Sequence, residues 1–127
     1  MSLFSRLVGD ASEISPEEAK EELQNVLVED EEVEASFILI RDLIVFTSLR
    51  LLLVDKQGIT GKRTEYLSIP YQSIYQFSIT TAGHFDIDSE LLLYIAGSNE
   101  PRKIEIKSGD AILKIQKLLI TRISPKG

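Results

Sequence analysis

Apolar and polar positions along the chain change period twice, from helical to strand-like and back. Leu3, Phe4, Leu7 and Val8 recur at helical spacing and predict a short first helix ended by Gly9-Asp10. A second helix start is better specified. Ser15 is placed as an N-cap, Pro16 stands at the first helical position, and Glu18 follows Ser15 by three residues, which makes a capping box. Glu17 and Glu18 also complement the positive end of the helix dipole. Ala19, Leu23, Val26 and Leu27 then give this helix one apolar face. Glu29-Asp30-Glu31-Glu32 breaks the pattern and reads as a solvated acidic connector.

Between residues 33 and 107 the period shortens to that of strands. Residues 33–40, 43–47 and 49–55 are rich in Val, Ile, Leu and Phe. Only Arg41-Asp42 and Ser48 separate them, so tight antiparallel turns are implied and the three form a meander. A loop with Gly58 and Gly61 leads to a fourth strand, 64–69, stopped by Pro70. In 75–81, Tyr75, Phe77 and Ile79 alternate with Gln76, Ser78 and Thr80, the pattern of a strand with one buried face. Turn-rich segments then lead to strands at 90–96 and 102–107. From Gly109 to Ile123 the spacing is helical again, with Ile112, Ile115, Leu118, Leu119 and Ile123 on one side.

Seven short strands followed by one amphipathic helix predict a mainly β domain, a bent antiparallel barrel closed by the helix. No βαβ unit is present, which argues against a doubly wound nucleotide-binding sheet. Residues 1–32 read as a helical extension and 33–127 as the domain proper.

The strand order and closing helix resemble a pleckstrin homology (PH) domain. The segment Phe46-Thr47-Ser48-Leu49-Arg50-Leu51-Leu52-Leu53-Val54-Asp55 resembles the Thr-x-x-Arg hairpin of its bacterial versions. Ile69-Pro70-Tyr71-Gln72-Ser73-Ile74 and Ala82-Gly83-His84-Phe85-Asp86-Ile87-Asp88-Ser89-Glu90-Leu91 resemble the same bacterial family more closely. The resemblance covers residues 33–123, and the N-terminal helices look like an extension that some members carry. It implies homo-oligomeric, ring-like assembly. Lipid-binding relatives hold phosphate with several Lys and Arg on a long loop between the first two strands; here that loop is only Arg41-Asp42.

Composition narrows the class further. At 127 residues the chain fits a single domain. It has no cysteine, which excludes disulfides, thiolate metal sites and a cysteine nucleophile, and makes the cytoplasm the expected compartment. Neither a signal peptide nor an apolar run of about 18 residues or more is present. The net charge is −6, unevenly spread. Residues 1–35 hold eleven acids against Arg6 and Lys20, a net of −9, whereas 36–127 hold twelve bases against nine acids, a net of +3. That balance disfavours nucleic acid as a partner.

Three constellations carry candidate chemistry. Lys56, Lys62 and Arg63 flank the two-glycine loop and, with Arg50, form a candidate site for an anionic lipid or inositol phosphate at a membrane surface. Asp86, Asp88 and Glu90 stand at alternate positions but lack the calcium-loop framework, so turn geometry is the expected role and no metal or cofactor is expected. His84 is the only histidine, and no Gly-x-Ser-x-Gly elbow accompanies it, so an enzyme is not expected. The carboxylates of residues 29–34 are expected to be exposed and ordinary in their titration.

The first three strands are apolar on both faces, where a barrel exposed outside should alternate. Something must cover the outer face: the N-terminal helices folding back, or a second copy of the chain. Leu39, Val45, Leu52 and Val54 are the candidate residues of that covered surface, and a homo-oligomer is the expected assembly.

Overall fold

The computed structural model describes residues 12–39, 42–57, 63–81, 89–107 and 109–125, with side chains unassigned at 12, 56, 57 and 109. Eight strands and two helices occur among these residues. The strands form two sheets, one of five strands in the order β1-β2-β3-β4-β5 and one of three in the order β6-β7-β8. They belong to two compact units, residues 1–69 and 70–127.

The first unit contains β1 (Ser12–Ile14), α1 (Pro16–Glu22), β2 (Val33–Leu39), β3 (Asp42–Thr47), β4 (Arg50–Gln57) and β5 (Arg63–Pro70). The capping box forms as the sequence implies. The Glu18 amide donates to the Ser15 hydroxyl at 3.1 Å, and the Ser15 amide donates to the Glu18 carboxylate at 3.3 Å. The helix is shorter than the apolar spacing suggested, ending at Glu22, after which turns centred on Leu23 carry the chain on. Ser12–Ile14, outside either predicted helix, is an edge strand paired antiparallel with β2, which raises the strand number from seven to eight. The predicted helix at residues 3–8 lies outside the described residues.

Register decides which side chains share a face. Ser36 stands opposite Val45 and Val45 opposite Leu52, while Ile38 stands opposite Leu43 and Leu43 opposite Val54. These residues, with Ile14 of β1, form one face of the sheet. Phe37, Ile44, Phe46, Leu51 and Leu53 form the other, where Phe37 and Phe46 meet edge to face at 6.4 Å between ring centres. Both faces are buried, which is why these strands read as continuous apolar runs.

The first of these faces is covered from within the chain. Ile14, Ala19 and Leu23 pack with Ile38, Leu43, Val45, Leu52 and Val54 in one cluster, flanked by Val26, Leu27 and Val33. Each Leu, Ile or Val so buried contributes roughly 1.5–3 kcal/mol relative to exposure. At seven residues α1 is too short to be stable alone in water, and it is held by this apolar face.

The second unit contains a 3-10 turn (Tyr71–Ser73), β6 (Ile74–Thr81), β7 (Ser89–Ile95), β8 (Arg102–Ile106) and α2 (Gly109–Ile123). The bounds of α2 are those the sequence predicts. Ala111, Ile112, Ile115 and Leu119 are buried, and the Arg122 guanidinium lies over the Tyr71 ring at 5.2 Å, tying the end of α2 to the 3-10 turn. Gly97 takes φ +89° in the β7–β8 turn, a conformation that L side chains rarely adopt. Among the described residues no helix is long and apolar enough to cross a membrane.

Candidate functional site

The Thr-x-x-Arg segment lies at the β3–β4 hairpin, and its polar side chains reach toward the connector after α1. On β4, Arg50 shares a face with Leu52 and Val54 by alternation, so a cation stands in line with an apolar stripe. Its partner is Glu31. The Arg50 Nε–H and Nη2–H groups donate to the two Glu31 carboxylate oxygens, both at 2.8 Å, in a two-pronged pair. A further Nη2–H donates to the Val26 carbonyl at 3.0 Å, and Nη1 donates to the Ser68 hydroxyl of β5 at 2.7 Å. Four of the five guanidinium N–H groups are thereby used.

Glu31 is equally occupied. Its side chain is fully buried, whereas that of Arg50 is 19% exposed. The Thr47 hydroxyl donates to Glu31 Oε2 at 2.6 Å, and the Val28 amide donates to Oε1 at 3.1 Å. The Thr47 oxygen in turn accepts the Leu49 and Arg50 amides, both at 3.1 Å, which closes the hairpin tip. Asp30 adopts φ 73°, a conformation that Asp tolerates better than most residues, and this turns the connector so that the Glu31 amide reaches the Val28 carbonyl. A reciprocal pair, Ser48 amide to Glu32 carbonyl at 2.8 Å and Glu32 amide to Ser48 hydroxyl at 3.0 Å, fastens connector to hairpin beside this clasp.

The Arg50 hydrogen bonds, aided by those from Thr47 and Val28, outweigh the desolvation of the carboxylate and hold Glu31 down at about 2. The same pairing raises Arg50. A carboxyl pKa lowered on folding favours the folded state above its unfolded value of 4.5, and that contribution disappears as pH falls toward 2. At about 1.4 kcal/mol per pKa unit, Glu31 contributes on the order of 3 kcal/mol at neutral pH. Urea midpoints are therefore expected to fall steeply between pH 5 and about pH 2, and Glu31→Gln is expected to flatten that limb of the profile. An unchanged slope in the variant would contradict the assignment.

The expectation of exposed, ordinary carboxylates in the connector thus fails at Glu31, and the physical reason is Arg50. Nothing in the acidic run itself singles out one of four acids. The available signal was on the other strand: an arginine in phase with Leu52 and Val54 on an apolar face requires a buried anion.

The other predicted residues separate. Arg50 is committed to Glu31, so its charge is neutralised within the chain. Arg63 is exposed at the start of β5; the Lys56 side chain and Lys62 lie outside the described residues. Val45, Leu52 and Val54 lie beneath α1. Leu39 stands opposite Asp42 and by alternation falls on the opposite face with Phe37, although it too is buried. His84, Asp86 and Asp88 lie outside the described residues, and Glu90 pairs with Lys103 at 3.6 Å on the surface. Among the described residues no group of acids and histidines could hold a metal ion.

The bacterial PH domain model matches residues 2–123, taking in α1 and β1 as well as both sheets. The chain belongs to the bacterial PH domain family. Its relatives include the uncharacterized protein YjqA of Bacillus subtilis (strain 168), 53% identical over 120 residues, which span 94% of this chain and 96% of YjqA. Two solved structures share the PH fold. A pleckstrin homology domain from Shewanella amazonensis SB2B superposes with a TM-score of 0.79 at 44% identity, covering 95% of this chain and 98% of its own. A DUF1696 family protein with a pleckstrin-homology domain from Shewanella loihica PV-4 gives 0.78 at 40%, covering 92% and 100%.

Proposed function

We propose that this bacterial PH domain is a non-enzymatic assembly module that binds further copies of itself. The carrying observation concerns apolar surface. The outer face of the first sheet is already occupied by α1, yet among the described residues six large apolar side chains, Val28, Leu49, Tyr66, Tyr75, Leu113 and Ile120, stand 41–64% exposed. Self-association therefore uses surface other than Val45, Leu52 and Val54. An anionic headgroup site would have to be built from Lys56, Lys62 and Arg63 without the charge of Arg50. Light scattering on the purified chain is expected to give a mass of several protomers at micromolar concentration; a strict monomer at about 100 μM, where an interface of even modest area associates, would overturn the reading.

A further inference from the structure

Three of the exposed apolar residues gather around the clasp. Val28 and Leu49 are each 57% exposed, and the bonds that join connector to hairpin tip bring their backbones together: Val28 donates to Glu31, Leu49 to Thr47, and Thr47 to Glu31. Tyr66, 50% exposed, sits two residues along β5 from Ser68, the residue bonded to Arg50, and so on the same side of that strand. Glu29, Asp30 and Glu32 are exposed around this patch. With Glu31 and Arg50 cancelling, the rim is acidic.

The second unit offers a surface of opposite character. Leu113 and Ile120 of α2 are 41% and 52% exposed. They lie seven residues apart, two turns or about 10 Å along one side of the helix, opposite the buried Ile112, Ile115 and Leu119. Lys117 falls between them on that stripe and Lys114 beside it, both exposed. An apolar stripe carrying lysines matches an apolar patch rimmed by acids, in charge and in kind.

We infer that the patch formed by Val28, Leu49 and Tyr66 in one copy receives the Leu113-Lys117-Ile120 stripe of α2 from a second copy. The inference rests on the assembly reading and adds the surfaces through which the copies meet. The contact joins two different patches, so each copy is donor and acceptor at once. Apolar side chains provide the adhesion, and the charges set which surfaces pair and how fast they meet.

Charge exchange tests it. The Lys114→Glu/Lys117→Glu variant and the Glu29→Lys/Glu32→Lys variant are each expected to self-associate at least about tenfold more weakly than the natural chain, a loss of roughly 1.4 kcal/mol. Mixed one to one, they are expected to recover association, because the acidic helix of one meets the basic rim of the other. Leu49→Ser and Ile120→Ser, at exposed positions where the far-ultraviolet circular dichroism is expected to stay that of the natural chain, are expected to weaken association without a charge change. A monomeric natural chain would overturn the assembly reading and this inference together. An associating natural chain whose variants associate as strongly, or whose variants weaken but fail to complement on mixing, would overturn the pairing of these surfaces alone.

Discussion

Arg50→Ala is expected to lower the free energy of unfolding by about 3–5 kcal/mol, a large effect for a residue whose side chain is not fully buried. The cost arises mostly at its partner. The substitution leaves the Glu31 carboxylate in a site without solvent, with one hydroxyl and one amide in place of a guanidinium. The acid can respond by taking up a proton, so its pKa should rise, and the acid limb of the stability profile should move toward neutral pH. Arg50→Lys should recover only part of the loss. An ammonium cannot span both carboxylate oxygens, the Val26 carbonyl and the Ser68 hydroxyl in one plane. Urea titrations at several pH values check both statements, and a loss below about 1 kcal/mol would reduce the clasp to an ordinary surface pair.

The second large effect is expected at Leu23→Asp. Leu23 is 1% exposed at the end of α1 and packs in the cluster that closes over Val45, Leu52 and Val54. A carboxylate there either stays buried without a partner or lifts α1 from the sheet, and both cost about 3–5 kcal/mol. If α1 lifts, the exposed sheet face should bind a hydrophobic dye, and the amides of β1 should exchange rapidly with solvent. Gln24→Asp, at an exposed neighbour, should stay within about 0.5 kcal/mol of the natural chain. Slow exchange in β1 of the Leu23 variant would show that the cover does not depend on this contact.

Much of the fold was legible because local and tertiary preferences agree. The Ser15-Pro16-Glu18 signal marks the start of α1, and the period of Ile112, Ile115 and Leu119 marks α2. Alternation in 75–81 marks β6, although Phe77 and Ile79 are only half-buried and Tyr75, expected on the same face, is 64% exposed where the register shifts between Ile74 and Gln76. Two things were hidden. Where a strand is apolar on both faces, composition carries no parity, so Leu39 could be grouped with Val45 when only the register, with Leu39 opposite Asp42, places it on the other face. The clasp was hidden for a different reason. Glu31 and Arg50 lie nineteen positions apart, and the bond between them depends on the turn at Asp30 and on the reach of β5, neither of which is a local property.

The clasp also constrains how such a sequence can drift. A change at position 31 alone strands a cation against Val26 and Ser68, and a change at position 50 alone strands an anion beneath the hairpin. Either single step passes through a weakened protein, whereas replacing both by apolar side chains of similar volume need cost little. The two positions are therefore expected to be inherited as a unit, so that bacterial PH domains lacking the acid before the first long strand also lack the arginine of the Thr-x-x-Arg hairpin.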